Sequence, residues 1–194
     1  MPDLNYYPTC TFAVVENAFS PAELAQIEAY GDRLTADKAT VADIDRVGKV
    51  RDDIRVTRTA WLNPVPEVRW IYDRMQGVIR AINDRVYQFD LGGFSDNLQY
   101  TVYHGTEGGH YDWHVDHGSV LQSRRKLSIT VQLSDPSDYE GCDLQFYAGN
   151  KPENAPRDRG LVIAFPSYVL HRVTPCTRGT RKAIVAWTTG PQFR

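Results

Sequence analysis

The chain has 194 residues, of which 42% are hydrophobic and 24% are charged, and its 22 basic and 24 acidic residues give a net charge of −2. This length and composition are typical of one folded domain and exclude a wholly disordered chain. The near-neutral charge argues against nucleic acid as a partner, because general nucleic-acid binders carry a basic excess. No apolar run exceeds five residues, whereas a membrane-spanning helix needs about 20, so no membrane association is expected.

The three cysteines are an odd number and show no C-x-x-C spacing: Cys10, Cys142 and Cys176. This usage is typical of a reducing compartment, where each thiol acts as a small buried hydrophobic group. Residues 1–32 contain neither Lys nor Arg, so they lack the basic start of a secretory signal. We therefore expect a cytoplasmic protein.

Two helices are predicted in the first half of the chain. Residues 20–23 (Ser-Pro-Ala-Glu) have the pattern of a capping box with Pro at the first helical position, and they predict a helix over about 21–34. An apolar stripe with steps of three or four residues predicts a second helix over about 65–89. The polar, Asp-rich segment 36–51 between them is predicted to be a mobile loop.

Beyond the second predicted helix the apolar period changes to two. Apolar and polar residues alternate over 98–103 and over 127–134, and short apolar runs follow at 161–165 and 183–187. Short strands that are separated by Gly- and Pro-containing turns, with no long helix between them, predict an antiparallel sandwich or barrel. Residues 52–62 are predicted to add a strand before the second helix, whose apolar stripe needs a sheet to pack on.

A candidate metal site comes from His114, Asp116 and His171. On a strand, residues two apart point the same way, so His114 and Asp116 present an imidazole and a carboxylate on one face. In a sandwich, a later strand can return His171 across the same pocket. Two His and one carboxylate leave three positions open on an octahedral ion, which is the facial triad of non-haem iron(II) oxygenases. The alternative for an H-x-D pair alone is a hydrogen-bonded structural histidine.

A candidate anion site follows at Arg181, on the last predicted strand. The stretch 161–194 contains no acidic residue, and Arg181 lies ten residues after His171. A guanidinium can hold a carboxylate through two parallel charge-assisted hydrogen bonds, so Arg181 would suit the far carboxylate of a chelating 2-oxo acid. The alternative is a solvated basic edge strand.

At these residues the sequence resembles the 2-oxoglutarate- and iron(II)-dependent dioxygenases, in particular their prolyl 4-hydroxylase-like branch. The motifs that carry the resemblance are, in chain order, Gln99-x-x-x-Tyr103, Gly109-x-Tyr111, His114-x-Asp116, Ser128 to Ser134, Tyr139 to Leu144, Phe165-Pro166-Ser167, His171-Arg172-Val173 and Gly179-Thr180-Arg181. The resemblance covers about residues 96–190 strongly, 50–95 in outline and the first 50 hardly at all.

The resemblance implies an α+β, mainly β fold. This fold is a double-stranded β-helix, or jelly roll, of antiparallel strands with N-terminal helices packed on one sheet. It further implies a single dioxygenase domain over 1–194, with a helical support and substrate-loop region at 1–95 and the jelly-roll catalytic core at 96–194.

The resemblance also implies roles for individual residues. His114, Asp116 and His171 would be the catalytic iron ligands, and Arg181 would bind the C5 carboxylate of 2-oxoglutarate. Tyr103 would hydrogen-bond 2-oxoglutarate. The alternative for Tyr103 is an aromatic side chain that only packs in the mouth of the barrel. Cys142 departs from the pattern because relatives usually have a second Gly there, and a Cys is expected to need an ordinary backbone conformation rather than positive φ.

Four residues are candidate substrate contacts: Arg55, Arg58, Trp113 and Trp187. The alternative for the tryptophans is a place in the core. Residues 124–126 (Arg-Arg-Lys) are predicted to form a solvated turn.

The implied reaction is hydroxylation of a C–H bond with release of succinate and CO2. It would use Fe(2+), with 2-oxoglutarate and O2 as cosubstrates and ascorbate as a reductant. The resemblance favours a prolyl residue of a protein or peptide as substrate. One alternative is a free amino acid or small metabolite, which a pocket closed by 36–51 would favour over an open groove. The other is a non-catalytic jelly roll that binds a metal or a sugar.

Overall fold

The structure is a computed structural model that describes residues 5–9, 11–40, 49–118, 122–147 and 149–193. The α-helices in these residues are α1 (Pro21–Gly31) and α2 (Arg69–Ile82). The strands are β1 (Tyr6–Pro8), β2 (Ala13–Val15), β3 (Asp37–Lys38), β4 (Arg55–Val56), β5 (Arg58–Leu62), β6 (Gly93–Phe94), β7 (Leu98–His104), β8 (His110–His114), β9 (Arg125–Gln132), β10 (Tyr139–Gly141), β11 (Leu144–Tyr147), β12 (Pro152–Asn154), β13 (Val162–Pro166), β14 (His171–Val173) and β15 (Cys176–Thr189).

The strands form two antiparallel sheets. The major sheet has the order β1-β2-β13-β9-β15-β7-β5-β3, with β6 and β10 also paired to β15, and the minor sheet has the order β12-β11-β14-β8-β4. Apolar residues of both sheets, among them Val14, Phe146 and Phe165, pack together in one buried cluster. The predicted mainly β jelly roll is confirmed by this arrangement.

The two helices cover the outer face of the major sheet, as predicted. Ile27 of α1 and Met75 of α2 are fully buried in a second cluster with Ile129 and Ile184 of the sheet. Alternate residues of β7, β9 and β15 point to this cluster, because successive side chains of a strand face opposite sides. The residues between them point to the space between the sheets. Neither described helix has the length and apolar character to cross a membrane.

Both helices are shorter than the sequence predicted. The capping box of α1 forms, but the helix ends at Gly31 because the following residues form a tighter turn and Asp32 accepts a hydrogen bond from Tyr100 of the sheet (2.7 Å). The second helix begins with a 3-10 turn, and α2 gives way after Ile82 to a π-helical turn. The Asn83 side chain bonds the backbone N–H and C=O of Phe89 (3.0 and 2.9 Å) and so ends helical bonding before Phe89.

The strand predicted over 52–62 is two strands in different sheets. β4 belongs to the minor sheet and β5 to the major sheet. Thr57 between them is buried and donates a hydrogen bond to the carbonyl of Val102 (2.9 Å), so the chain changes sheets at this residue. In the predicted loop 36–51, β3 pairs with β5. Residues 41–48 of that loop, and Cys10, lie outside the described residues.

The expectation for the backbone of Cys142 was wrong. Its φ is +58°, in the left-handed region, and Gly141 before it also has positive φ. The turn from β10 to β11 requires this conformation, because it lets the Cys142 N–H donate to the carbonyl of Pro175 (3.1 Å). The small Cys side chain is buried at this turn.

Replacing Gly179 by Ala should strongly destabilise the fold. Its φ is +72°, and an added Cβ would overlap the carbonyl oxygen of Asp138. We expect a loss of about 3 kcal/mol or more in the free energy of unfolding, measured by chemical denaturation. The control is Gly108→Ala, because φ there is +61° with no atom near the added Cβ, and this variant should lose only roughly 1 kcal/mol. Equal losses in the two variants would show that the overlap is relieved without cost.

Candidate active site

Antiparallel pairing of β8 with β14 brings the two predicted histidines together. His171 lies directly opposite His114 in the register, and their ring centroids are 4.1 Å apart. Asp116 follows the end of β8, with one carboxylate oxygen 3.7 Å from Nε2 of His114 and the other 3.5 Å from Nε2 of His171. One donor atom from each residue lies within 4.8 Å of the others. This is a two-histidine, one-carboxylate group on one face, as the sequence predicted.

The backbone orients both imidazoles with Nε2 toward the centre of the group. His114 Nδ1 lies 2.7 Å from the carbonyl of Asp112, and His171 Nδ1 lies 2.9 Å from the carbonyl of Val169. Because a carbonyl only accepts, each Nδ1 must carry the proton, and each Nε2 keeps its lone pair for a metal ion. This is the usual way in which a protein fixes the tautomer of a ligating histidine.

The protonation states of the group also suit metal binding. Burial, helped by the electrostatic effect of the neighbouring His171 ring, lowers the pKa of His114 to about 3. Burial by itself would raise the pKa of Asp116, but the two imidazoles and the Ser128 hydroxyl together lower it to about 2. A neutral imidazole beside an ionised carboxylate is the form that binds a cation without first losing a proton.

Two buried serines support the carboxylate. Ser128 Oγ donates to Asp116 (2.7 Å), and the Oγ atoms of Ser128 and Ser167 lie 3.0 Å apart. Both serines are fully buried. Both serines lie in the motifs that carry the family resemblance, but no role was predicted for them. The signal was the alternation on β9, where Ser128, Thr130 and Gln132 share the face opposite the apolar residues.

Arg181 is a buried cation that faces the same cavity. It is 2% exposed and lies opposite Tyr103 in the pairing of β15 with β7, with its guanidinium carbon 5.6 Å from the tyrosine ring centroid. Nη2 donates to the Gln132 side chain (2.9 Å), and Nε is buried without a hydrogen-bond partner. Within the described ranges no carboxylate pairs with Arg181. A buried, unpaired charge is costly, so the site fits an anionic ligand.

The three candidate ligand residues line one cavity of about 940 Å³ together with Arg181 and Tyr103. Such a volume is ample for a small dicarboxylate beside a metal ion and a substrate group. Two of the predicted substrate contacts, Arg55 and Trp187, also line it. The Trp187 indole lies near Asp116 and helps to lower the pKa of that carboxylate, and the Arg125 guanidinium stacks on its ring at 4.1 Å.

The other two predicted substrate contacts are not in the cavity. The register between β8 and β14 contains a bulge that puts Tyr111 and His114 on the cavity side. Trp113 directly precedes His114 on the strand and therefore points outward, where it contacts Arg172 and Tyr147. Arg58 pairs with Glu107 (2.5 Å) away from the cavity.

The predicted solvated turn at 124–126 is also wrong in part. A 3-10 turn ends at Arg124, whereas Arg125 and Lys126 begin β9. Lys126 is buried, and its amine lies 3.4 Å from the ring centroid of Phe193.

Comparison with known proteins agrees with this geometry. A family model described as "2OG-Fe(II) oxygenase superfamily" matches residues 98–189. Over 82 residues the chain is 44% identical to a PKHD-type hydroxylase of Synechococcus sp. (strain CC9902). This alignment covers 41% of this chain and 36% of that protein. The alignments span 35% to 39% of the length of the curated relatives that the chain matches.

Two solved structures share the fold over nearly the whole chain. One is a prolyl-4-hydroxylase of Pseudomonas putida, with a TM-score of 0.70, 21% identity and 93% of each chain covered. The other is a prolyl hydroxylase of Trichoplax adhaerens in complex with a hypoxia inducible factor oxygen degradation domain peptide fragment. It has a TM-score of 0.74 and 18% identity, with 93% of this chain and 84% of that chain covered. At such identities the likeness shows the fold, while chemistry depends on the site.

Replacing Ser128 by Ala should weaken metal binding without unfolding the protein. The change removes the hydroxyl that holds Asp116, and loss of such a supporting hydrogen bond typically reduces metal affinity by about 10- to 100-fold. Anaerobic titration with Fe(II) would measure the change. The control is Ser134→Ala, because the Ser134 hydroxyl is buried but bonds the backbone of Lys182. Equal iron affinity in both variants would contradict a supporting role for Ser128.

Proposed function

Residues 98–189 match the 2OG-Fe(II) oxygenase superfamily, and from this premise we propose that the chain belongs to this family and is a hydroxylase of C–H bonds. The family implies Fe(2+) and 2-oxoglutarate. The proposed reaction converts 2-oxoglutarate, O2 and the substrate C–H group into succinate, CO2 and the hydroxylated product. The observation that supports it is the buried, unpaired Arg181 in the same cavity as His114, Asp116 and His171.

The residues present fit the implied metal. The donor set of two imidazoles and one carboxylate leaves several coordination positions of an octahedral ion open. A ferrous ion bound there would supply the oxidising chemistry, in which 2-oxoglutarate and O2 are consumed. The protein would hold the ion through Nε2 of His114, Nε2 of His171 and the Asp116 carboxylate.

Other residues of the cavity would position the cosubstrate. Arg181 would hold the distal carboxylate of 2-oxoglutarate, and Gln132 fixes the guanidinium through its hydrogen bond to Nη2. Tyr103 is 4% exposed and opposite Arg181, where its hydroxyl can reach the same ligand. Because Arg181 and Tyr103 are buried, hydrogen bonds between them and a charged ligand would be stronger than in water.

We propose a prolyl residue of a protein or peptide as the substrate. The cavity shares Trp61 and Asp96 with a second, open groove of about 620 Å³ on the surface. A groove that continues outward from the cavity favours an extended chain over a small enclosed molecule. The Trichoplax adhaerens structure that shares the fold holds a peptide fragment.

A small-molecule substrate remains the second candidate, and one observation favours it. Residues 37–40, from the segment predicted to cover the pocket, line the mouth of the cavity. The proposed assay therefore uses both classes of substrate. The enzyme is incubated with Fe(II), 2-oxoglutarate and ascorbate, and mass spectrometry detects peptides and metabolites that gain one oxygen atom. Succinate formed without any such product would argue against hydroxylation.

The variant His171→Ala should lose both iron binding and turnover. It removes one of the three donors, and no described histidine besides His114 and His171 belongs to the ligand group. Anaerobic Fe(II) titration and succinate release measure the two effects, with circular dichroism to confirm folding. The matched control is His110→Ala on β8, the strand of His114, where the ring bonds the carbonyl of Gly108. Turnover by His171→Ala at the rate of the control would contradict the ligand assignment.

Replacing Arg181 should weaken 2-oxoglutarate binding much more than iron binding. Loss of one partner of a buried, hydrogen-bonded charge pair costs about 3 kcal/mol, which corresponds to roughly a 100-fold higher Kd. Arg181→Gln and Arg181→Lys should both show this loss in anaerobic calorimetry, with the Lys variant less affected because it keeps the charge. An unchanged Kd for 2-oxoglutarate in both variants would show that the distal carboxylate binds elsewhere.

A further inference from the structure

We infer that the substrate carries a carboxylate close to the carbon that is hydroxylated, and that Arg55 binds this carboxylate. The inference rests on the proposed function, because Arg55 faces the cavity in which that reaction would occur. It concerns a second cation of the cavity, which the metal and the cosubstrate leave unused.

Arg55 is placed beside the metal ligands by β4. It lies opposite Tyr111 in the pairing of β4 with β8, and its guanidinium carbon is 4.5 Å from the centroid of the Tyr111 ring. The Tyr111 ring in turn stacks on His114, with 3.5 Å between the centroids and 15° between the planes. A stacked guanidinium is held in one plane, so Arg55 is fixed one ring away from a ligand of the metal.

The hydrogen bonds of this guanidinium are incomplete. Nη2 donates to the side chain of Gln99 (3.1 Å), which is itself buried. Nε is buried and has no hydrogen-bond partner, and no carboxylate in the described ranges pairs with Arg55. A buried donor without an acceptor carries the full cost of its desolvation. An anion that enters the cavity would remove that cost.

The remaining cations of the cavity are paired with protein carboxylates. Lys38 at the mouth bonds Asp52 (3.1 Å), and Arg125 bonds Asp96 (2.8 Å). The described part of the cavity lining thus contains two cations without a carboxylate, Arg181 and Arg55. The first suits the cosubstrate, which leaves Arg55 for another ligand.

The charges that a bound ferrous ion and 2-oxoglutarate would bring indicate the charge of the ligand of Arg55. The two positive charges of a ferrous ion would be matched by Asp116 and by one carboxylate of 2-oxoglutarate. The other carboxylate of 2-oxoglutarate would match Arg181. The charge of Arg55 then remains unmatched inside the cavity, since Asp37 is exposed at the mouth. A substrate with one negative charge near its reacting carbon completes the balance.

Two substrates offer this chemistry. A free amino acid brings its own carboxylate, and a peptide brings the acidic side chain of a neighbouring residue. Both would form the same charge-assisted bonds to Arg55. The two classes of substrate are distinguished by testing each with a pair of compounds, in which one compound carries the carboxylate and the other carries an amide in its place.

The test is anaerobic calorimetry on the protein loaded with Fe(II) and 2-oxoglutarate. Two pairs of probes are used. The first pair is L-proline and L-prolinamide. The second pair is a capped pentapeptide with proline between two glutamates and the same peptide with glutamine in place of each glutamate. The acid of at least one pair should bind about tenfold more tightly than its amide. In Arg55→Gln this preference should fall below about twofold, and in Arg55→Lys, which keeps the charge, part of it should remain.

Arg58→Gln is the matched control. Arg58 lies three residues further along, pairs with Glu107 and does not line the cavity, so this variant should keep the full preference for the acid. Equal binding, or no binding, of acid and amide in both pairs would overturn the inference. So would a preference that survives Arg55→Gln, or a loss of 2-oxoglutarate affinity in Arg55→Gln as large as in Arg181→Gln.

A failure of the proposed function gives a different result. The Kd of 2-oxoglutarate is measured first, with and without Fe(II), before any probe is added. If that affinity does not depend on iron, the proposed function fails. If it does depend on iron and the probes still show no preference for the acid, only the role of Arg55 is overturned.

Discussion

The antiparallel pairing of β8 with β14 is the constraint on which the candidate site depends. It sets His171 opposite His114, although a long stretch of chain separates them, and the end of β8 adds Asp116. The backbone carbonyls of Asp112 and Val169 then fix the tautomer of each ring. The ligand geometry therefore follows from backbone hydrogen bonding, and a change in this register would separate His171 from His114 and Asp116.

The two faces of the major sheet have different roles: the outer face stabilises the fold, and the inner face carries the candidate site. Its outer face packs against α1 and α2 in an apolar cluster. Its inner face presents polar and charged residues, among them Gln99, Ser128 and Arg181, which are nonetheless buried. Buried polar groups need partners. On this face they receive them from each other and, in the proposed function, from the metal ion, the cosubstrate and the substrate.

This arrangement explains which parts of the fold and of the candidate site could be predicted from the sequence alone. The period-two alternation predicted the strands, and the H-x-D pair with a distant histidine predicted the ligand group. The alternation did not show that the polar positions of β7, β9 and β15 line a cavity, because the second sheet that covers them pairs residues far apart in the chain. Alternation shows that two faces differ, but it does not show what covers the polar one.

The remaining differences have local causes that composition does not reveal. The chain changes sheets at Thr57, so Arg55 enters the cavity while Arg58 does not. A bulge in β8 puts Tyr111 on the same side as His114, whereas Trp113 faces outward. Cys142 adopts a left-handed conformation because one carbonyl is in place to accept its N–H. Each depends on a contact with a distant segment.

A crystal structure of the protein grown without oxygen, in the presence of Fe(II) and 2-oxoglutarate, would test the central claim most directly. Anomalous scattering at the iron edge locates the ion independently of the rest of the map. The account predicts a single iron peak between Nε2 of His114, Nε2 of His171 and the Asp116 carboxylate, with the distal carboxylate of 2-oxoglutarate bonded to Arg181. An iron peak away from these three side chains, or a cosubstrate carboxylate out of reach of Arg181, would contradict it.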